Sequence, residues 1–319
     1  MGQSEHFNQD QFQLSGIIGE VVDFSSANPV NYSQAITNPS ECEELQIGGK
    51  LFLPNSSEPM PAVIIVPGSL GVSDNHLTHA ETLLSVGIAV FVIDPFTNRK
   101  VESTVANQTH YAFAASAFDV LAALRALHEY PQIDSNRISA QGHSRGGSAV
   151  ISAAVRAFAD PIVGPEYSFK SVYAVYPWCG HQFVRPNVGS TIVRAIIGER
   201  DDWLSVQQVQ SQIQAIKLSG GDATILIVDG AAHSFDREEH IHQIPEASVT
   251  PQAPTIYLTP EGSMIDPRTG KADTVATDRT YFVAAVEAGF GRRGAHIGGT
   301  EEQQEIFRAD MLTFHQSNF

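Results

Sequence analysis

The chain is short of cysteine, of basic residues and of long apolar runs, and each shortage closes off a class of function. Its 319 residues include two cysteines, Cys42 and Cys179. They can form at most one bridge, not a disulfide framework, and such scarcity favours two free thiols. Lys and Arg number 19 against 35 Asp and Glu, a formal charge of -16. Neutralising phosphates takes a surplus of Lys and Arg, so no nucleic-acid surface is expected. The same deficit argues against docking on anionic lipid. No run approaches the roughly 18 apolar residues of a membrane helix; the longest, such as 88–93, are strand-sized. Charged residues make up only 17% of the chain, so the acidity comes from missing bases rather than from acidic tracts. Residues 1–10 lack the basic and apolar regions of a signal peptide, and His6 breaks the myristoylation pattern. The expectation is a soluble cytoplasmic protein, with secretion after removal of a leader as the alternative.

What is present is enough to build a core. Apolar residues are 42% of the chain, which excludes global disorder, and the length suits one large α/β domain carrying insertions. Residues 1–45 read as an irregular arm wrapping a domain that runs over 46–319. From there strands and helices alternate. Strands are expected over 49–54, 62–67, 88–94, 137–142, 171–176, 191–198 and 223–228. Helices are expected over 74–86 with Ser73 as N-cap, and over 109–129, 146–158, 206–218 and 301–314. Continuous apolar strands between helices imply a mostly parallel sheet covered on both faces. Residues 236–300, rich in Pro, Gly and Thr, read as a long insertion: a lid near the site or a surface excursion.

One motif carries nucleophilic chemistry. Gly142-His143-Ser144-Arg145-Gly146 follows an expected strand and opens an expected helix, the strand–turn–helix setting of a nucleophile elbow. A serine on so sharp a turn needs small neighbours, and the N–H of Arg145 then faces the developing oxyanion. Ser144 needs a base. His233 stands just past the last apolar strand, on the same sheet edge as the elbow if the strands are parallel. The base needs an acid to hold its tautomer, and Asp201 and Asp202 follow the preceding strand. Asp201 is preferred, with Asp202 free to cap the next helix; Asp229 lies inside a strand end. The chain order Ser, Asp, His is that of α/β-hydrolases. A second oxyanion donor is expected from Ser69 or Leu70, in the Gly-containing loop after 62–67.

These residues resemble the dienelactone hydrolase-like branch of the α/β-hydrolase superfamily. The matching pieces are PGSLGVSDNH at 67–76, GHSRGG at 142–147, YPWCG at 176–180, GERDDW at 198–203 and DGAAHSF at 229–235. The resemblance implies an α/β-hydrolase fold and a triad of Ser144, Asp201 and His233. It also implies oxyanion donors at Ser69 and Arg145, and hydrolysis of small-molecule esters or lactones without cofactor. It points to Tyr176, Trp178 and His181 as pocket lining. Two positions depart from the namesake enzymes: Ser144 stands where they carry cysteine, and Gly68 where they carry glutamate. Both point away from dienelactone itself as substrate.

The remaining candidates read as bland. Arg145, on a buried elbow helix, is expected to pair with an internal acid rather than with substrate. His76 and His79, one helical turn apart, read as surface or packing residues, and Glu238, Glu239, His240 and His242 as a solvated loop, so no metal is expected. Rival readings are a peptidase or amidase, since the Gly198 to Asp202 element also resembles the prolyl oligopeptidase clan; an acyltransferase; and a non-catalytic binding module on a hydrolase scaffold.

Overall fold

A computed structural model of the chain describes residues 7–319. Its centre is a sheet of eight strands: β1 Glu20–Ala27, β2 Glu44–Phe52, β3 Met60–Val66, β4 Ala89–Asp94, β5 Ile133–His143, β6 Ser171–Val175, β7 Ile192–Gly198 and β8 Ala223–Val228. The spatial order is β8-β7-β6-β5-β3-β4-β2-β1, parallel throughout except at β2, which runs antiparallel to both its neighbours. Every residue of β4 and β6 is buried, so helices must cover both faces there. They do so in pairs. Helix α2 (Asp74–Leu84) packs with α8 (Glu301–Asn318), and α3 (Phe113–His128) with α4 (Arg145–Ala154). This is the α/β-hydrolase fold. Among the described residues no helix is long and apolar enough to cross a membrane.

Local chemistry accounts for the boundaries. Ser73 is the N-cap of α2, and its N–H donates to His76 Nδ1 at 2.9 Å, closing a capping box. The helix expected over 146–158 is instead two, α4 and α5 (Arg156–Val163), broken where Val155 takes an extended conformation. Residues 1–45, expected to be irregular, supply an edge strand of the central sheet. In β1, Glu20↔Leu51 through Ala27↔Glu44 pair with β2, and α1 (Tyr32–Thr37) follows.

The 236–300 stretch is structured too. His242–Val249 pairs antiparallel with Arg292–Ile297 around a bulge between Ile244 and Ser248. Short strands Ile256–Leu258, Met264–Ile265 and Ala272–Asp273 add to His181–Phe183 in a second small sheet. Helix α7 (Asp278–Glu287) follows, between α6 (Val206–Leu218) and α8 in chain order. Pairing of 256–258 with 181–183 seats this segment over the loop that follows β6, at the carboxyl edge of the parallel strands.

Candidate active site

Four parallel strands deliver their next residues to one edge. β5 ends at His143 and Ser144 follows in the left-handed region, φ 54 and ψ -112, as N-cap of α4. Such a non-glycine conformation costs about 1–3 kcal/mol and persists only when its surroundings fix it. Here the Ser144 N–H donates to Val175 O at 2.9 Å, tying the turn to the neighbouring strand. The turn also needs glycine at 146, where a Cβ would stand 2.3 Å from Val66 O. That close approach sets the elbow against the end of β3 and the loop behind it.

The three expected side chains meet. His233 Nε2 lies 3.1 Å from Ser144 Oγ, and His233 Nδ1 lies 2.7 Å from Asp201 Oδ2. Asp201 Oδ1 accepts the N–H groups of Trp203 and Leu204, each at 2.9 Å, so the carboxylate is held at both oxygens. The loops after β7 and β8 touch at Gly198, where a Cβ would stand 2.3 Å from Ala231 O. His233 is buried, its ring flanked by Tyr176 at 4.6 Å and Trp203 at 5.1 Å.

Asp202 does not cap α6; Ser205 does, accepting from the Gln208 N–H. Asp202 instead accepts the His296 N–H at 2.9 Å and reaches His296 Nδ1 at 2.8 Å. The Gly298 N–H donates to His233 O at 3.0 Å. The returning strand 292–297 is thus fastened to the loops bearing Asp201 and His233. Asp229 sits exposed at the end of β8, away from the imidazole's partners.

The loop 68–70 adjoins the serine: a Cβ on Gly68 would lie 3.4 Å from Ser144 Cβ. Ser69, Leu70, Ser144 and His233 border one small cleft of about 30 Å³. As first residue of α4, Arg145 has a main-chain N–H with no intrahelical acceptor. Its side chain turns inward, but not to an acid as expected. The buried guanidinium donates to Tyr111 O at 2.7 Å, Thr104 Oγ1 at 3.2 Å and Gln108 O, and lies 4.0 Å over the Phe113 ring. Burial pulls its pKa down to about 10, with Asp278 opposing, so it stays cationic at neutral pH.

Trp178 and His181 border a second, larger cavity that also opens on Ser144, of about 150 Å³. Tyr176 borders the small cleft, with its hydroxyl committed inward.

That hydroxyl belongs to a buried network the sequence reading missed. Tyr176 Oη donates to Asp236 Oδ1 at 2.8 Å, while Asn75 Nδ2 at 2.8 Å and His79 Nε2 at 2.7 Å meet Oδ2. His143 Nδ1 lies 3.1 Å from Tyr176 Oη. His76 and His79, read as surface or packing residues, are both buried beneath the elbow. His79, His143 and Asp236 offer ligand atoms within 4.8 Å of one another, yet each is already hydrogen-bonded. Burial opposes ionisation of Asp236, but the hydrogen bond and charge of His79, with His143 and Asn75, outweigh it and hold its carboxyl below the usual range. In the 238–242 cluster His242, the first residue of the 242–249 strand, approaches Glu239 at 3.6 Å. Cys42 and Cys179 are free and buried.

The chain is similar to several known proteins. Cutinase 2 of Thermobifida cellulosilytica is 30% identical over 104 residues, 33% of this chain and 38% of that one. A cutinase of Thermobifida fusca strain YX is 30% identical over the same length, 31% of its own chain. The chain therefore spans about a third of the curated relatives it matches. A solved structure described as m3DLH shares the fold, with TM-score 0.53 at 16% identity over 69% of this chain and 85% of that one. Residues 47–254, from within β2 to beyond the His233 loop, match the dienelactone hydrolase family, and the chain belongs to that family.

Proposed function

We propose that the protein is a serine hydrolase of carboxylic esters acting through an acyl-enzyme on Ser144. The observation that carries this reading is the hydrogen-bonded relay at the elbow, Ser144 to His233 at 3.1 Å and His233 to Asp201 at 2.7 Å. In the first half-reaction His233 Nε2 takes the Ser144 hydroxyl proton as Oγ adds to the ester carbonyl. The N–H groups of Arg145 and of Ser69 or Leu70 stabilise the tetrahedral oxyanion. Collapse breaks the bond to the alcohol oxygen, which leaves with the proton held on His233. In the second half-reaction water adds to the acyl-enzyme by the same route, His233 returns the proton to Ser144, and the acid departs. Asp201 keeps the imidazole in the required tautomer and balances its transient charge. Family membership and two relatives named as cutinases support ester substrates. No step calls for a cofactor.

The test is hydrolysis of p-nitrophenyl acetate by wild-type and Ser144→Ala proteins, with circular dichroism to establish folding. The variant is expected to lose at least about 10⁴-fold in kcat. A folded Ser144→Ala protein that kept the wild-type rate would sink the assignment.

A further inference from the structure

Two cavities meet at Ser144, and they differ in size, in lining and in their relation to His233. The larger, about 150 Å³, is bounded on the core side by Phe113, Trp178 and Leu204 and on the other by Ile256, Tyr281 and Ala285 of the 236–300 segment. Phe113 and Trp178 stack at 4.2 Å, making one aromatic wall. The smaller, about 30 Å³, is bounded by His233 and by a mixed set of residues, among them Ser69, Asn75 and Arg237 beside Leu70, Val105 and Ile297. His233 borders the small cleft and is absent from the lining of the large chamber.

That asymmetry assigns the two halves of an ester. The leaving oxygen must receive its proton from His233 Nε2, so the alcohol must depart where the imidazole is within reach. Of the two, the small cleft is the one that His233 lines. The acyl chain, attached to the same carbonyl carbon, then has the large chamber as its way out. An apolar cavity of about 150 Å³ is large enough to take a benzene ring. From this, and resting on the ester hydrolase reading above, we infer that the protein selects esters of a bulky apolar acid, phenyl-sized or a chain of about six carbons, with a small alcohol. The 236–300 segment completes the acyl chamber, and α7 offers its small residues, such as Ala284 and Ala285, where the acyl group lies.

Two isomeric esters separate this from its converse. Ethyl hexanoate and hexyl acetate have the same atoms and nearly the same hydrophobicity, but carry the bulk on opposite sides of the carbonyl. With p-nitrophenyl acetate as reference, pH-stat assays are expected to give ethyl hexanoate at least a tenfold higher kcat/KM than hexyl acetate. In Ala285→Trp, whose indole would fill the chamber, that ratio is expected to fall at least tenfold. Equal rates, or preference for hexyl acetate, would overturn the assignment in the wild-type protein alone, whether or not the variant folds. Turnover of p-nitrophenyl acetate with neither isomer cleaved would also overturn it, since the chamber would then contribute no acyl binding. No hydrolysis of any of the three would instead refute the ester hydrolase reading itself.

Discussion

Replacing Asp236 with asparagine tests whether the network under the elbow holds the site together. The side chain is wholly buried and its carboxylate receives Tyr176 Oη, Asn75 Nδ2 and His79 Nε2 at 2.7 to 2.8 Å. Asparagine matches the shape but has one acceptor oxygen where the carboxylate has two. Its amide would face at least one donor head-on, and one or two of the three would lose their acceptor. Each buried donor so orphaned costs about 1–3 kcal/mol, giving a destabilisation of roughly 2–5 kcal/mol. At about 2–4 °C per kcal/mol, Tm should fall by roughly 4–20 °C. The assay is calorimetric melting across pH 6 to 8. A carboxyl held below the usual range contributes stability that is fully present above its unfolded pKa of about 3.9 and is lost only as pH falls through the folded value. Throughout pH 6 to 8 it is ionised in both states, so the gap between wild type and variant should not change with pH. A variant melting within about 2 °C of wild type would refute the reasoning, and so would a gap that changed with pH across this range.

Two further outcomes follow from the same geometry. Burial pushes His76 and His315 down to about 3, and lowers His143 in the same direction. Below the unfolded histidine value of about 6.5 the unfolded chain takes up protons that the folded one refuses, so stability falls with pH. His76 and His315 together should cost about 3 kcal/mol per pH unit from there down towards pH 3. Tryptophan fluorescence should report unfolding before pH 4, and a native spectrum at pH 3.5 would contradict the buried-histidine picture. Asp201→Asn should lower kcat on p-nitrophenyl acetate by about 10⁴-fold, because the wrong tautomer then faces Ser144. Asp202→Asn, altering only contacts to the 292–297 strand, should stay within a few-fold of wild type. Equal losses in the two variants would leave Asp201 without a special role.

The Ser144 turn, the place of His233 and the positions of the inner strands along the chain were legible because each has a local signature. A buried parallel strand is a continuous apolar run, and Gly142 to Gly146 crowds small residues around one serine for a steric reason that the close approach at Gly146 makes explicit. Strand β1 lacked such a signature. It lies at the sheet edge with both Glu20 and Val21 exposed, so its apolar residues form no run, and only pairing with β2 makes it a strand. The 236–300 segment escaped for a related reason: its strands Ile256–Leu258, Met264–Ile265 and Ala272–Asp273 are too short to carry a periodicity, and the first of them joins the fold through 181–183, more than seventy residues away.

Polar burial is harder still to read, because composition treats a histidine as soluble wherever it stands. His76, His79 and His143 come from two elements and Asp236 from a third, and only the fold brings them within reach of one another. Yet the positions held a usable clue. His143 immediately precedes the serine, and Asp236 follows His233 by three residues, so both are carried to the site by the same backbone turns that carry the reacting groups. A buried carboxylate fixed to that loop restrains the imidazole through Tyr176, whose ring packs 4.6 Å from His233 while its hydroxyl holds Asp236. His233 is therefore held from both sides: Asp201 meets its Nδ1 at 2.7 Å, and Asp236 fixes the ring's surroundings through Tyr176. Each aspartate acts on the histidine through a different contact, which is why one is expected to show in kcat and the other in Tm.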